Sequence, residues 1–303
     1  MNQERRSVIV FGGCNLDVIA RPSRSLRPGV SNPGAVSVSA GGAGRNVAAN
    51  LARLGVTTDL ISGVGADPAG DYLIAETARA GVRVAGIVRT ADRSNYYVAL
   101  AGVGPDLLAV SDMAAAEALS PAQVRDAAGL ARHVGMVVID ANLHEQTIAA
   151  AIDVARATAI CLLPTSPAKA ARVSAVLDRA VLIAASAAEL EVLAGRPITS
   201  AEEALDAADV LRRRTGADVL VSMGASGVGI AADETHWLEA RPVAVVDPTG
   251  AGDAAAAAAI FGRISGLSTR ESLQLARAAG AMTVTMQGAT HPAFSVEALR
   301  AYV

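Results

Sequence analysis

Short apolar runs, many of them β-branched, alternate along the chain with longer stretches in which apolar residues return every three or four positions. The short runs at 8–11, 59–62, 136–140, 160–163, 219–222 and 244–247 predict strands. The three- and four-residue spacing predicts helices over 46–54, 72–79, 121–132, 146–157 and 201–214. Several strands are apolar throughout, the pattern of strands covered on both faces. Strand–helix alternation without an internal repeat or low-complexity linker predicts one α/β domain over 1–303. Its central sheet is expected to be largely parallel, with helices on both faces in a three-layer α/β/α arrangement.

Two segments break the alternation. Residues 18–39 hold Pro22, Pro28 and Pro33 and end in Val36-Ser37-Val38-Ser39, with no helical period. Residues 95–111 read as a hairpin, with strands at 96–100 and 107–111 around Gly102-Val103-Gly104-Pro105-Asp106. Together they predict a small second β-sheet acting as a lid, which has a job wherever water must be kept from a reactive group.

Composition narrows the function classes. The chain of 303 residues is 52% hydrophobic but only 3% aromatic, so it can bury a large core yet offers few base-stacking platforms. Lys+Arg total 26 against 29 Asp+Glu, a net charge of −3 with no basic cluster, which argues against a nucleic-acid partner. Cys14 and Cys161 lie far apart and form no CxxC, and with 4 scattered histidines they provide no zinc spacing. The reading is two buried thiols in a reducing compartment. The polar start at 1–6, the short apolar stretch at 7–13 and the run at 254–260 are too short for a signal-peptide core or a membrane span. A cytoplasmic protein with no membrane partner is expected.

The strongest chemical motif is Asp247-Pro248-Thr249-Gly250-Ala251-Gly252-Asp253, followed by an alanine-rich helix to about Ser265. A strand, a glycine turn and a helix start put free backbone N–H groups at the positive end of a dipole, an anion site suited to phosphate. Asp253, in the first turn, is placed to take a proton from an attacking hydroxyl. The plainer reading is a helix start whose acid complements the dipole. A sharper rival is the dinucleotide fingerprint, because Gly250-x-Gly252-x-x-Ala255 fits it and Glu271 lies at a suitable distance. It fails because Glu271 belongs to a helix-starting stretch and Asp253 would face a pyrophosphate.

Gly41-Gly42-Ala43-Gly44-Arg45-Asn46 opens a second helix, with Asn46 able to donate to and accept from hydroxyls. Asn15-x-Asp17 follows the first strand at the expected carboxyl edge of the sheet, although an Asn or Asp there is more often a turn or cap residue. Ser222-Met223-Gly224-Ala225-Ser226-Gly227 is another strand followed by a glycine turn. No GxxxxGK[ST] loop occurs.

Taken together these residues resemble the ribokinase-like (PfkB) carbohydrate kinase family. Its glycine-rich signature ending in Asn is matched by Gly41 to Asn46, and its C-terminal signature by Asp247 to Asp253. Within the family, Ser31-Asn32-Pro33-Gly34, Gly44-Arg45-Asn46-Val47-Ala48, Ser111-Asp112-Met113, Asp140-Ala141-Asn142 and Ser222-Met223-Gly224 resemble the pseudouridine kinase branch.

The resemblance implies a ribokinase-like fold and ATP-dependent transfer to a sugar or nucleoside hydroxyl, here the 5′-hydroxyl of pseudouridine. A ribose- or fructose-type sugar kinase and a non-catalytic nucleotide-binding relative are the alternatives. The implied roles place Asn15, Asp17, Gly41, Gly42, Asn46, Asp112 and Asn142 on the acceptor. Gly250, Ala251 and Gly252 would face the transferring phosphoryl group, with Asp253 as base. Ser186, Ser222, Gly224, Gly227 and Gly288 would flank ATP. Mg2+ would lie near Glu189 through water, and a monovalent cation, K+, near Asp247. Lid segments pair between two chains in some relatives, so the resemblance allows a homodimer through the lid, although nothing in the composition of these segments demands it. The chain departs from the family where Lys-Pro-Asn-x-x-Glu is usual: Ala184 and Ser186 replace the Lys and Asn, and only Glu189 remains.

Overall fold

The computed structural model describes residues 7–100, 108–127, 129–130, 134–156 and 158–303. Strand β1 (Ser7–Phe11) sends Val8 and Val10 into one apolar layer and Ile9 and Phe11 into the other. Successive side chains of a strand point to opposite faces, so a strand covered on both sides reads as apolar throughout. The chain then leaves the main sheet for β2 (Asn15–Pro22) and β3 (Gly34–Gly41) and returns through α1 (Ala43–Arg53). β4 (Thr57–Gly65), α2 (Pro68–Arg79) and β5 (Ile87–Ala91) follow, and β6 (Asn95–Leu100) and β7 (Leu108–Asp112) make a second excursion. Short helices α3 (Ala114–Glu117) and α4 (Pro121–Asp126) lead to β8 (Met136–Asp140), α5 (Glu145–Ala155), β9 (Ala159–Leu163) and α6 (Pro167–Ala170).

A 3-10 stretch (Ala171–Arg179) precedes β10 (Leu182–Ser186), α7 (Ala187–Ala194), α8 (Ala201–Thr215) and β11 (Asp218–Ser222). The antiparallel strands β12 (Val228–Ala231) and β13 (Thr235–Leu238) then extend the sheet. Helices α9 (Ala251–Ile264), α10 (Thr269–Thr283) and α11 (Val296–Ala301) complete the order.

Among the described residues the main sheet has 9 strands in the order β13-β12-β11-β10-β9-β8-β1-β4-β5, parallel from β11 to β5. Residues of α1, α2, α9, α10 and α11 form the core on one face, and residues of α4, α5, α7 and α8 the core on the other. This is the expected three-layer α/β/α class. From β1 the chain builds outward through β4 and β5, then resumes at β8 on the other side of β1. The carboxyl ends of β1 and β8 therefore flank the switch point at which open α/β sheets bind ligands. Alanines 254–259 are all buried, and α9 packs against both α1 and α10. Small side chains at these positions let the helix that carries Asp253 approach its neighbours closely.

Among the described residues the second sheet is present as 4 strands in the order β3-β2-β6-β7. Its boundaries differ from the expected 18–39 and 95–111 in one informative place. β2 begins at Asn15, so Asn15 and Asp17 lie in a strand of the small sheet rather than in a loop after β1. The expected turn at 102–106 and residue 107 lie outside the described residues. So do the charged start at 1–6 and parts of the helices expected over 121–132 and 146–157.

The strand expected over 244–247 is not one. Val245 and Val246 are 63% and 56% exposed, and the N–H groups of Val246 and Asp247 bond to the carbonyl of Val284 at the end of α10. The N–H groups that a strand would pair are thus taken by a helix terminus. Among the described residues no helix is long and apolar enough to cross a membrane.

Candidate active site

The site is built at the switch point by one buried carboxylate. Asp140, the last residue of β8, accepts the N–H of Gly13 at 2.9 Å, of Gly44 at 2.7 Å and of Asn142 at 2.8 Å. The Asn142 side chain adds a further bond at 3.3 Å. Burial pushes the Asp140 carboxyl up, and these donors oppose the shift. Asp140 thereby ties the turn after β1 to the start of α1. A Cβ on Gly12 or Gly44 would lie 2.5 or 2.8 Å from Oδ2 of Asp140, which explains why the sequence has glycine there. Gly42, the N-cap of α1, has φ 99, and a Cβ on it would meet the Gly13 carbonyl oxygen at 2.5 Å.

That clamp aims α1 at α9. Asn46, in the first turn of α1, donates its Nδ2 to Asp253 Oδ2 at 2.8 Å, joining groups 207 residues apart. The two glycine motifs thus meet at this contact. Asp253 stands in the first turn of α9 behind Gly250, which has φ 79 and approaches the Ala289 carbonyl so closely that a Cβ would lie 2.1 Å from it. The first N–H groups of a helix have no intrahelical acceptor. Ala251 makes only a 3.4 Å turn bond to Pro248, and Gly252 lines the open cleft beside Asp253. Burial pushes the Asp253 carboxyl up to about 7, with Asn46 opposing the shift and the carboxylates of Glu189, Asp140 and Asp17 reinforcing it. A carboxylate that titrates near neutrality in the first turn of a helix suits a general base working next to an anion.

The cleft measures about 440 Å³, part of it open to solvent, and is lined by Ala43, Thr165, Ser186, Glu189, Ser222 and Asp253 among others. Ser186 caps α7. Its Oγ accepts the Glu189 N–H at 3.3 Å, and Glu189 Oε2 accepts the Ser186 N–H at 2.9 Å. The departure at Ser186 has therefore become a helix cap, and it fixes Glu189 in the cleft wall. Burial raises the Glu189 carboxyl. A hard oxygen donor so placed fits Mg2+, directly or through water.

Asn15 donates Nδ2 to Asp17 at 2.5 Å, and burial pushes Asp17 up to about 6. Gly41 packs on that carboxylate, since a Cβ would fall 2.0 Å from Asp17 Oδ2. Asn142 Oδ1 accepts Lys169 Nζ at 2.7 Å. Gly224 and Gly227 have φ 52 and 122 in the turn after β11, and Gly288 has φ 94 and donates its N–H to Asp247 at 3.2 Å. Asp247 itself is buried. Its burial acts to raise the pKa, and donors from Thr249, Gly288 and Arg21 outweigh it, holding the carboxyl below the usual range. Asp112 stands apart: it ends β7, accepts the Ala114 N–H and faces Arg93 at 3.7 Å. Cys14 and Cys161 are buried and unpaired, their thiols pushed up to about 11 and about 12 by burial. Glu271 serves in a capping box with Ser268 at the start of α10.

Sequence reasoning assigned no role to Lys169, Thr165, Arg21 or the Asp140 clamp. Thr165 has φ 72, a strained conformation for a β-branched residue. It is held by an N–H from Ala141 at 3.1 Å and by its own bond to the Leu163 carbonyl at 3.0 Å. Asp140 was visible as Asp-x-Asn after a strand. Lys169 and Thr165 carried no local signal.

Comparison with known proteins agrees with this geometry. The model of the pfkB family carbohydrate kinase matches residues 5–295. Pseudouridine kinase of Escherichia coli (strain K12) is 28% identical over 298 residues, which covers 97% of this chain and 95% of that protein. A carbohydrate kinase from Agrobacterium tumefaciens superposes with a TM-score of 0.81 at 30% identity, covering 98% and 96% of the two chains. Ribokinase from Arabidopsis thaliana, complexed with ribose and ATP, has a TM-score of 0.81 at 23% identity and covers 98% of each chain, which shows the shared fold.

Proposed function

We propose that this chain, which belongs to the pfkB family of carbohydrate kinases, transfers the γ-phosphoryl group of ATP to the 5′-hydroxyl of a nucleoside, with pseudouridine as acceptor. The observation that carries the reading is the Asn46–Asp253 contact, which sets a base between the first turn of α1 on the acceptor side and an anion-binding helix start. In this mechanism Asn15, Asp17, Gly42, Asn46 and Asn142 hold the sugar hydroxyls. Asp253 takes the proton of the attacking hydroxyl, and the N–H groups of 250–252 face the charge that develops on the phosphoryl oxygens. Glu189 would hold Mg2+, which neutralises phosphate charge, and Ser222, Gly224, Gly227 and Gly288 flank the nucleotide. The activity belongs to a single domain over 1–303 working in the cytoplasm, where both thiols stay reduced.

The near whole-length similarity to a pseudouridine kinase supports the acceptor assignment. With ATP and Mg2+, the purified protein is expected to phosphorylate pseudouridine with a higher kcat/KM than uridine, ribose or fructose. A higher value for ribose or fructose would sink the acceptor assignment and leave the kinase standing. No turnover with any of them, together with thermal stabilisation by ATP, would point to the non-catalytic reading.

The small sheet is the lid, and its outer face supports a homodimer. Val38, Val18, Val98 and Val110 lie in register across its strands. Val38 is 53%, Val98 44% and Val110 72% exposed. A contiguous apolar row of this kind is normally covered, and a second copy of the same sheet covers it symmetrically. Light scattering after gel filtration should show a dimer at micromolar concentration, converted to monomer by Val110→Glu. A monomeric wild-type protein would refute the dimer.

A further inference from the structure

The family resemblance implies a monovalent cation beside Asp247, and the groups around that carboxylate do not fit one. Asp247 is 2% exposed, and both its oxygens already face hydrogens. Oδ1 accepts the Thr249 N–H at 3.0 Å. Oδ2 accepts Arg21 NH2 at 3.0 Å and the Gly288 N–H at 3.2 Å. A bound cation needs oxygens turned toward it, and here the N–H donors of Thr249, Gly288 and Arg21 take most of the carboxylate's lone-pair sites while the guanidinium supplies the positive charge.

The geometry also says what the pair connects. Arg21 lies on β2 of the small sheet, with NH1 3.5 Å from Ser37 Oγ on β3, and its partner lies 226 residues away at the head of the turn carrying Asp253. Through Gly288 the same carboxylate reaches the loop against which Gly250 packs. One ion pair thus touches the small sheet, the glycine turn and the loop beside it. Arginine's charge persists at any working pH.

We propose that the Arg21 guanidinium is the built-in cation of this site. It stands on Asp247 in place of a monovalent ion and, as a positioning residue, holds the small sheet against the turn that presents Asp253. Turnover is then independent of K+. The kinetic part rests on the kinase reading, whereas the ion-binding part does not.

The test compares wild type, Arg21→Ala and Arg21→Lys in choline chloride, NaCl and KCl at equal ionic strength, by thermal melting and by turnover with ATP, Mg2+ and the best acceptor. Wild type should melt at one temperature and turn over at one rate in all three salts. In choline chloride Arg21→Ala should lose about tenfold to a hundredfold in kcat, the scale of a small misplacement of reacting groups. Millimolar KCl or guanidinium should restore part of that loss, and KCl should raise the melting temperature of this variant alone. Arg21→Lys, which keeps the charge, should fall between the two, and Arg21→Gln, which removes it, gives the same comparison if the alanine variant does not fold. A K+-specific rise in wild-type rate or melting temperature overturns the proposal, as does a normal kcat for Arg21→Ala in choline chloride. If no acceptor is turned over, the kinase reading fails, and melting still decides the ion site. A K+-specific rise in the variant alone supports it, and no such rise overturns it.

Discussion

Asp253→Asn should lower kcat by about two to four orders of magnitude, the contribution expected of a positioned general base, while KM for acceptor and ATP changes little. Asparagine keeps the shape and can still accept from Asn46 through its amide oxygen, so the loss isolates the proton acceptor. The wild-type enzyme should show kcat/KM rising with pH through about 7, where burial and the neighbouring carboxylates place the Asp253 titration. The same substitution should stabilise the fold. A carboxyl whose folded pKa lies above its unfolded value contributes nothing unfavourable below the unfolded pKa, and the cost of charging it grows as pH rises toward the folded value. The melting temperature of Asp253→Asn should therefore exceed wild type by about 2–4 °C at pH 8, allowing for partial exposure at the cleft, and by less at pH 5. Near-normal turnover, or destabilisation at pH 8, would remove Asp253 from this role.

Asp140→Ala should be the most destabilising single change in the site, costing about 3–5 kcal/mol. It leaves the N–H groups of Gly13 and Gly44 buried without an acceptor, at about 1–3 kcal/mol each, and opens a cavity between β1 and α1. Asp140→Asn should cost less, because one oxygen remains to accept. Whatever Asp140→Ala protein folds should also turn over slowly, since α1 loses the anchor that aims Asn46 at Asp253. Urea denaturation and kinetics on the same sample test both parts. A midpoint shift near zero would show that the two N–H groups find other acceptors and that the clamp does not organise the site.

What the sequence determined by itself was what local pattern encodes. Val8 to Phe11 is apolar at every position because both faces of β1 are covered, and that is readable without coordinates. The glycines of the two motifs announced helix starts with open N–H groups, and both helices begin there, α1 behind Gly42 and α9 behind Gly250. The proline-rich segment and the hairpin announced a second sheet, and β2, β3, β6 and β7 form it.

Pattern failed where the neighbour decides. The residues at 244–246 have strand-like composition, yet the N–H groups of Val246 and Asp247 go to a helix end and not to a strand ladder. The strands β5, β12 and β13 are short and went unread for the converse reason: an adjacent strand completes them. Ser186 could be recognised as a departure from a family pattern, while its use as the cap that fixes Glu189 required the backbone. The contacts that make the site join positions remote in sequence: Asn46 with Asp253, Asp140 with Gly13 and Gly44, Arg21 with Asp247, Lys169 with Asn142. No residue period spans such separations, because a hydrogen bond depends on a few ångströms and an angle set by the packing of the whole sheet. Local chemistry thus selected the candidate groups, and the crossover of the chain between β1 and β8 decided which of them meet.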